Sequence, residues 1–271
     1  MKIKILTDNK AKDGFKGEWG LSIYIEYKDK KLLLDTGASP LFAENAEKSG
    51  IDLKDVDLAF LSHAHYDHSN GFGRFFSLNK KAPLYLSSNC KENCYGRRWI
   101  FSKYIGIKKG YAEAYKDRLV YTDGLTEIEK DIFLIPHGEG DFSDYGRKNG
   151  LFQKSGRKWS YDSFNHEQSL VIKTDKGIVI FNSCCHTGAD NIIKEVSEAF
   201  KGEKILALIG GFHLYKSSVE DVKSLAERIE ETGIEQIYTG HCTGDKAFTI
   251  LKNHLGDKAQ ELYAGMEIEV E

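Results

Sequence analysis

The residues with the clearest capacity for chemistry form one short run, His63-Ala64-His65-Tyr66-Asp67-His68. The run directly follows the apolar segment 56–62, which is predicted to be a buried strand. Two histidines separated by one residue on an extended segment project to the same side, and a turn after them brings Asp67 and His68 toward the same point. Imidazole and carboxylate groups suit Zn²⁺, Fe or Mn²⁺. The run therefore predicts a metal site.

Three further histidines stand just past the ends of predicted strands. His186 lies in CCHTG after the strand 177–182, His213 in GGFHL after 204–209, and His241 in GHCTG after 235–238. Functional residues of layered α/β folds collect at the carboxyl ends of strands, so all three are candidate site residues. His137, in a predicted loop, and His254, on a predicted amphipathic helix, are placed outside the site.

The elements that must position these residues follow from hydrophobic periodicity and helix-boundary signals. Strands are predicted at 2–7, 20–27, 31–35, 56–62, 169–174, 177–182, 204–209, 235–238 and 266–270. Helices are predicted at about 40–48, 189–200, 219–231 and 246–255. Hairpins followed by strand–helix alternation occur in both parts of the chain, which predicts a layered α/β protein with two similar sheet-plus-helix units. Because no linker-like segment divides the chain, residues 1–271 are predicted to form a single domain.

Composition narrows the functional classes. The chain has 271 residues, 41% of them hydrophobic, and a formal net charge of −3 from 38 Lys and Arg against 41 Asp and Glu. This balance supports a large core and excludes a disordered chain, and no apolar run approaches the roughly 20 residues of a membrane-spanning helix. Near-neutral charge disfavours general nucleic-acid binding. Five cysteines without framework spacing favour a reduced, cytoplasmic setting, and the start of the chain indicates a strand rather than a signal peptide.

On these motifs the chain resembles the metallo-β-lactamase fold superfamily over nearly its whole length. The superfamily's hallmark is a His-x-His-x-Asp-His run after a strand, here residues 63–68, and LLLDTG at 32–37 is similar to its earlier Asp-x-Gly element. The resemblance implies a four-layer αββα sandwich, with the metal site at one edge between the two sheets. It also implies that Asp35 steadies the metal loop from behind.

A narrower resemblance rests on CCH, GGFHL and GHCTG together with NHEQSL at 165–170 and EWGLS at 18–22. These segments are similar to the superfamily branch that includes 7,8-dihydropterin-6-methyl-4-(β-D-ribofuranosyl)aminobenzene 5'-phosphate synthase. The resemblance implies two divalent transition-metal ions, with zinc expected and manganese or iron as alternatives. It assigns one ion to His63, His65 and His186, and the second to Asp67, His68 and His241.

The resemblance leaves several residues near the site with more than one role. Many relatives carry a bridging Asp just before the position of His186, where this chain has Ser183, Cys184 and Cys185. Cys184 is accordingly either a thiolate ligand or a buried structural thiol. His213 is either a further ligand or a hydrogen-bond donor to substrate, and His166 is a further candidate near the metals.

Residues 90–165 differ from the rest, being rich in Tyr, Lys, Arg and Gly and only weakly periodic. The segment predicts either a solvated surface insertion or a lid over an anionic ligand. Arg97, Arg98, Lys103 and Lys154 are candidates for phosphate contact, and Trp99 or Tyr95 for stacking on a ring. The insertion is short for an RNA-binding arm, so a small-molecule substrate is expected and nucleic acid is disfavoured.

The expected chemistry is attack by a metal-bridging hydroxide on a carbonyl carbon or phosphorus, with Asp67 orienting the nucleophile and His213 or His166 protonating the leaving group. The expected function is a metal-dependent hydrolase of a small, anionic, phosphorylated ester-type substrate. Two alternatives remain open at this point. One is a dihydropterin-type transferase that displaces pyrophosphate at the same dinuclear site, and the other is a non-catalytic protein that binds metal or ligand.

Overall fold

A computed structural model describes residues 1–98, 101–137 and 140–270. Its strands, in chain order, are β1 (Lys2–Thr7), β2 (Ser22–Tyr27), β3 (Lys30–Leu34), β4 (Leu58–Phe60), β5 (Leu84–Ser87), β6 (Cys94–Arg98), β7 (Phe101–Tyr104), β8 (Leu119–Thr122), β9 (Thr126–Glu129), β10 (Ile132–Pro136), β11 (Leu151–Ser155), β12 (Lys158–Tyr161), β13 (Gln168–Thr174), β14 (Gly177–Phe181), β15 (Ile205–Gly211), β16 (Gln236–Gly240), β17 (Ala259–Glu261) and β18 (Glu267–Glu269). The α-helices are α1 (Leu41–Lys48), α2 (Tyr66–Ser69), α3 (Phe72–Leu78), α4 (Tyr111–Ala114), α5 (Ser143–Asn149), α6 (Ala189–Ala199), α7 (Val219–Glu231) and α8 (Asp245–Leu255). Within these ranges no helix has the length and apolar character needed to cross a lipid bilayer.

Two seven-stranded sheets form the frame of the molecule. Their strand orders are β18-β1-β2-β3-β4-β5-β8 and β17-β16-β15-β14-β13-β10-β9. The first sheet runs parallel from β3 through β4 and β5 to β8, and the second from β14 through β15 and β16 to β17. Antiparallel hairpins make up the rest of each sheet. Each sheet thus joins a hairpin part to a parallel part, as the sequence predicted.

The space between the two sheets is filled by one face of their strands. Because side chains alternate along a strand, Leu32 and Leu34 of β3 point into this space together with Leu170 and Ile172 of β13. Their neighbours Leu33 and Val171 point the opposite way, into separate apolar clusters. Both faces of each sheet are therefore covered, which explains the nearly continuous apolar strands.

Helices cover the two outer faces. Phe42 of α1 and Phe72 of α3 pack on the first sheet. Ile192 of α6, Leu225 of α7 and Leu251 of α8 pack on the second. The order helix, sheet, sheet, helix confirms the predicted four-layer αββα sandwich.

The basic segment 90–165 is organised differently from the expected single insertion. Its strand β8 pairs with β5 of the first large sheet, and β9 and β10 belong to the second. Only β6, β7, β11 and β12 form a separate four-stranded sheet, in the order β12-β11-β6-β7. The core strands in this segment are short and lie between polar residues, so periodicity alone does not separate them from loops. Two pieces of the segment, rather than all of it, rise above the sandwich.

Candidate metal centre

The chain after β4 carries the first four candidate ligands. It bends through residues 62–64, where His65 N donates to His63 O at 3.0 Å, and then enters the one-turn helix α2, which holds Asp67 and His68. The ring centroid of His63 lies 4.7 Å from that of His65 and 4.2 Å from that of His68, and all four side chains are buried. The expected turn therefore brings the run onto one point.

The second sheet brings two further predicted ligands to the same point. The ring of His186 lies 4.9 Å from His63 and 5.0 Å from His65, and the ring of His241 lies 5.0 Å from His68. His241 Nε2 is 3.5 Å from Asp67 Oδ2. All six predicted ligands are thus gathered at the carboxyl ends of strands from both sheets. His63, His65 and His186 form one group with ligand atoms within 4.8 Å of one another, and the division of the six between two ions stays a prediction.

A metal site requires donor atoms that the protein does not already use, and the ring nitrogens of these histidines meet this requirement. In the described part of the chain, the buried Nε2 atoms of His63, His65, His186 and His241 have no hydrogen-bond partner. An unpaired buried polar atom costs about 1–3 kcal/mol. Burial, reinforced by neighbouring imidazoles, holds the pKa of His63 and His186 well below the usual range and lowers that of His65 to about 3. Although burial alone would lower the pKa of His241, Cys242 and Asp67 raise it to about 9. The free lone pairs of the three neutral rings converge here, so the residues present fit bound metal.

Asp35 orients two of these rings from behind. It accepts hydrogen bonds from Ser62 N at 2.8 Å, Ser62 Oγ at 2.6 Å and His68 Nδ1 at 2.8 Å. Because the Ser62 hydroxyl donates to Asp35, it accepts from His63 Nδ1, 2.8 Å away. Protons on both Nδ1 atoms leave the Nε2 lone pairs of His63 and His68 facing the centre.

Asn9 orients His241 in the same manner. Its Oδ1 lies 3.1 Å from His241 Nδ1, and its Nδ2 donates to the carbonyl oxygen of His241 at 2.9 Å. These two contacts fix both the ring and the main chain of His241. No motif pointed to Asn9, which is 232 residues away in sequence.

Two further buried residues hold the loop that carries Cys184 and His186. Glu167 accepts from the main-chain N–H of His186 at 2.7 Å and of Thr187 at 2.9 Å. Asn182 Oδ1 accepts from Cys184 N at 3.2 Å and Cys185 N at 2.8 Å. The sequence analysis missed both roles, although Glu167 lies inside the NHEQSL segment.

His137 is outside the centre, as expected, but it is not an isolated loop residue. It directly follows β10 and is buried, with Nε2 2.7 Å from Ser169 Oγ and Nδ1 bonded to Glu195. Ser169 Oγ also accepts from Asn182 Nδ2 at 3.0 Å. His137 therefore supports the residue that holds the Cys184 loop. His254 lies on α8, away from the centre, with Nε2 3.2 Å from Glu230 Oε2.

His166 approaches the centre without reaching it. Ala64 N donates to its Nδ1 at 3.2 Å, so the ring proton is on Nε2, which donates to Asp162 Oδ2 at 3.2 Å. Asp162 Oδ2 in turn lies 4.0 Å from His65 Nε2. Both ring nitrogens of His166 are thus engaged by the protein, and they support the 63–65 segment. The side chain also groups with His65, Cys94 and Asp162, whose ligand atoms all lie within 4.8 Å of one another, so its candidacy as a ligand stays a prediction.

Cys184 occupies the middle of the cluster. Its Sγ is 3.3 Å from His68 Nε2 and 3.4 Å from Cys242 Sγ. A ligand atom from each of His63, His68 and Cys184 falls within one group whose members are all within 4.8 Å. The sulfur therefore lies among the candidate ligands, whereas Cys185 Sγ points away, toward Asn182 O at 3.7 Å.

The backbone around the centre is strained. Five non-glycine residues adopt positive φ here: Asp35 (58°), Phe164 (55°), Cys185 (45°), His213 (48°) and His241 (48°). Each such conformation costs about 1–3 kcal/mol and persists only where surrounding contacts impose it. Of these five residues, His213 and His241 contribute side chains to the centre itself, and Asp35 supports His68 from behind.

A cavity of about 690 Å³ opens above the centre. Its floor includes His65, Asp67, Cys184, His186, His213, His241 and Cys242. Five cationic side chains line its wall, namely Arg97, Lys103, Arg147, Lys148 and Lys216. Trp19 and Tyr215, each 42% exposed, form an aromatic corner in which their ring centroids are 5.5 Å apart.

The predicted substrate contacts divide into two groups. Arg97 and Lys103 line the cavity, whereas Lys154 lies outside it with Nζ 5.1 Å from the ring of Trp159, and Tyr95 packs on Tyr104. Arg98 ends β6, and Trp99 lies outside the described residues. Trp19, Tyr215 and Lys216 were missed because they come from loops far from the basic segment.

Comparisons with known proteins agree with this geometry. A family model described as the metallo-beta-lactamase superfamily matches residues 20–147. A 7,8-dihydropterin-6-methyl-4-(beta-D-ribofuranosyl)-aminobenzene-5'-phosphate synthase from Methanocaldococcus jannaschii is 28% identical over 268 residues, covering 93% of this chain and 90% of the relative.

Solved structures also match this chain over its whole length. A metal-dependent hydrolase of the beta-lactamase superfamily is 33% identical with a TM-score of 0.82, and the match covers 100% of this chain and 99% of that one. A diphosphatase from the PhnP family matches with a TM-score of 0.56 at 16% identity, covering 100% and 98% of the two chains. The second likeness concerns the fold alone.

Proposed function

The chain belongs to the metallo-β-lactamase superfamily, and from that premise we propose that it is a metal-dependent hydrolase of a small phosphorylated ester. One observation carries the proposal. Buried imidazole nitrogens without protein partners converge on the floor of a cavity whose wall bears five cations. The floor suits metal ions, and the wall suits an anion.

Metal binding is assigned to the two groups of three residues. His63, His65 and His186 would hold one ion, and Asp67, His68 and His241 the second, with zinc the expected metal. Ions bound here would act as Lewis acids on developing negative charge and would make water more acidic. Although burial alone would raise the pKa of Asp67, His68 and His241 hold it below its usual range, so its carboxylate is ionised at neutral pH.

Substrate binding is assigned to the cavity wall. Among the described residues, Arg97, Lys103, Lys148 and Lys216 have no acidic side chain within ion-pair distance, whereas Arg147 pairs with Asp144 at 3.0 Å. Asp67, at the floor, is the one acidic side chain that the described residues contribute to the cavity lining. Unpaired cations around a concave site attract and hold a phosphorylated ligand. Trp19 and Tyr215 offer faces for a flat ring of the substrate.

Proton handling is assigned to Asp67 and His213. Asp67 Oδ2 faces the centre beside His241 and can orient a water molecule or accept its proton. His213 is half-buried in the cavity lining, and in the described part of the chain neither of its ring nitrogens has a partner. It can therefore deliver a proton to a leaving group.

A second candidate function is supported by the synthase relative from M. jannaschii, which is 28% identical over 93% of this chain. In that case the same centre would assist the departure of pyrophosphate from a dihydropterin substrate, and an amine or arene would take the place of water. The cationic wall suits a pyrophosphate as well as a phosphate ester. The two candidates differ in the atom that forms the new bond to the substrate, which is a water oxygen in hydrolysis and an atom of the acceptor in transfer. Isotope labelling of the water measures this difference.

The test uses metal-free protein reloaded with Zn²⁺ or Mn²⁺ and supplied with phosphodiesters, lactones and dihydropterin pyrophosphate in ¹⁸O-labelled water. Hydrolysis places solvent oxygen in the product, whereas transfer to an added acceptor releases pyrophosphate without it. We expect about two metal equivalents per chain and ¹⁸O incorporation. Turnover without ¹⁸O would favour the transferase, and less than about half an equivalent of metal after loading would overturn the dinuclear centre.

A further inference from the structure

Five buried cysteines are present, and three of them have clear partners in the protein. Cys90 Sγ donates to the carbonyl oxygen of His166 at 3.4 Å, and Cys94 Sγ lies 3.7 Å from His166 Nε2. Cys185 Sγ donates to Asn182 O at 3.7 Å. Cys184 and Cys242 differ, because their sulfurs face each other at 3.4 Å and both line the active-site cavity.

We propose that Cys184 and Cys242 both bind metal through sulfur, which makes the centre a mixed imidazole–thiolate site selective for thiophilic ions such as Zn²⁺, Co²⁺ and Cd²⁺ over Mn²⁺. The inference rests on the metal centre of the proposed function. It adds Cys242 to the ligands and a metal preference to the site.

The spacing of the donor atoms matches a shared ion. Donors bound about 2.0–2.3 Å from one tetrahedral ion lie roughly 3.3–3.8 Å from each other. Cys184 Sγ is 3.3 Å from His68 Nε2 and 3.4 Å from Cys242 Sγ. Ligand atoms of Cys184, His241 and Cys242 also form one buried group within 4.8 Å. Both sulfurs therefore lie at ligand-to-ligand distances from the second group of donors.

The surroundings of Cys242 are built for a sulfur carrying negative charge. His213 N–H donates to Cys242 Sγ at 3.2 Å, which directs a main-chain dipole at the sulfur. Gly211 provides the space, because a Cβ at this position would lie 2.6 Å from the same sulfur. The positive φ of His213, 48°, places its N–H in this direction. A merely space-filling thiol would need none of these features.

The chemical consequence is metal selectivity. Thiolates are soft ligands that favour Zn²⁺ and related ions, whereas Mn²⁺ prefers carboxylate and water oxygen. A centre with one carboxylate and two thiolates will therefore discriminate against Mn²⁺ more strongly than a centre with imidazole and carboxylate ligands alone.

The first experiment replaces the metal of the reduced full-length protein with Co²⁺ and records the thiolate-to-cobalt charge-transfer band in the near ultraviolet. We expect a strong band in the parent protein, about half its intensity in Cys184→Ser and in Cys242→Ser, and none in the double variant. Cys185→Ser is the matched control, a neighbouring buried thiol whose partner is Asn182 O, and it should keep the full band. A full band in Cys242→Ser, or bound cobalt without any band in the parent protein, overturns the proposal.

A second measurement needs no variant and covers the case in which a substitution prevents folding. Zinc X-ray absorption of the loaded parent protein should show sulfur scatterers at an average distance of about 2.3 Å, with two sulfurs bound to one of the ions. Absence of sulfur scatterers overturns the proposal. Zn²⁺ to Mn²⁺ competition should change by about tenfold or more in Cys242→Ser relative to Cys185→Ser, and an unchanged ratio counts against the selectivity.

These readouts are independent of turnover. A charge-transfer band in a protein that hydrolyses none of the substrates supports the thiolate ligands and counts against the hydrolase. Hydrolysis by a centre without sulfur ligation supports the hydrolase and counts against the thiolate ligands.

Discussion

The floor and the wall of the cavity are built on different principles. Most floor residues are buried, and several are held by a partner behind them, such as Asp35 behind His68 and Asn9 behind His241. The wall cations stand on the small third sheet, on the short helix α5 and on one loop, and most have no acidic partner among the described residues. The difference indicates that the floor sets the chemistry with fixed geometry, while the wall contributes charge that can be lost one residue at a time.

The sharpest test of this contrast is removal of a floor ligand. His63→Ala removes an imidazole whose ligand atom lies within 4.8 Å of those of His65 and His186 and also of His68 and Cys184. We expect the metal content to fall and the rate to drop by about a thousandfold or more, because a catalytic metal contributes several kcal/mol. Metal analysis and steady-state kinetics measure both effects. If the variant keeps its metal and most of its rate, the floor does not set the chemistry, and the contrast between floor and wall is wrong.

The next test reaches the floor through a residue that touches no substrate. Asp35→Asn loses the carboxylate that accepts hydrogen bonds from Ser62 and His68, so we expect metal affinity to fall about 10–100-fold. Asp131→Asn is a matched control, since Asp131 also has a positive φ, 68° against 58°, but lies in a hairpin turn and pairs with Lys28. Equal metal affinities of the two variants, measured by chelator competition, would show that the partners behind the floor are dispensable.

A third test uses pH on the metal-free protein. The folded-state pKa of His65 lies near 3, below the unfolded value of 6.5, so the unfolded chain binds a proton that the folded chain refuses. Stability is therefore present above pH 6.5 and is lost as pH falls toward 3, with a slope of about 1.4 kcal/mol per pH unit for this histidine. His63 and His186 act in the same direction.

Urea unfolding at a series of pH values measures that slope. His65→Asn should lower it by about 1.4 kcal/mol per pH unit, whereas His254→Gln, at a surface pair with Glu230, should leave it unchanged. A slope that responds equally to both variants would contradict the buried, neutral floor.

The smallest effects are expected on the wall. Lys103→Gln and Arg97→Gln should each raise KM for a phosphorylated substrate by about fivefold with kcat nearly unchanged, because each removes about 1 kcal/mol of charge attraction. Lys154→Gln is the control, a lysine of the same basic segment whose Nζ lies over Trp159 outside the cavity. If Lys154→Gln raises KM as much as Lys103→Gln, the substrate does not bind where the cavity lies.

The same contrast explains what could be predicted from the sequence. The floor follows from local patterns, because a strand end places His63, His65 and, after one helical turn, His68 together whatever the rest of the chain does. The four-layer fold likewise follows from alternating strands and the helices between them. The supporting partners Asn9, Glu167 and Asn182 depend on contacts across more than one layer, which no local pattern encodes.

The wall was predictable only in its charge. The excess of basic residues in segment 90–165 pointed to Arg97 and Lys103, which line the cavity, and also to Lys154, which lies outside it. Strands β8 to β10 were missed because each is only four or five residues long, and β8 and β10 join the large sheets through strands distant in sequence. Which cations face the cavity depends on the register of β6, β7, β11 and β12, and composition does not determine register.

Each candidate metal position draws its ligands from both sheets of the sandwich. His63 and His65 leave the first sheet and His186 the second, and the same is true of His68 and His241. A bound ion would act as a cross-link between chain segments more than a hundred residues apart, closing long loops much as a disulfide does. Loss of metal should then loosen the two halves of the protein against each other, with faster amide exchange along the cavity-side ends of β4 and β14 than in the outer helices.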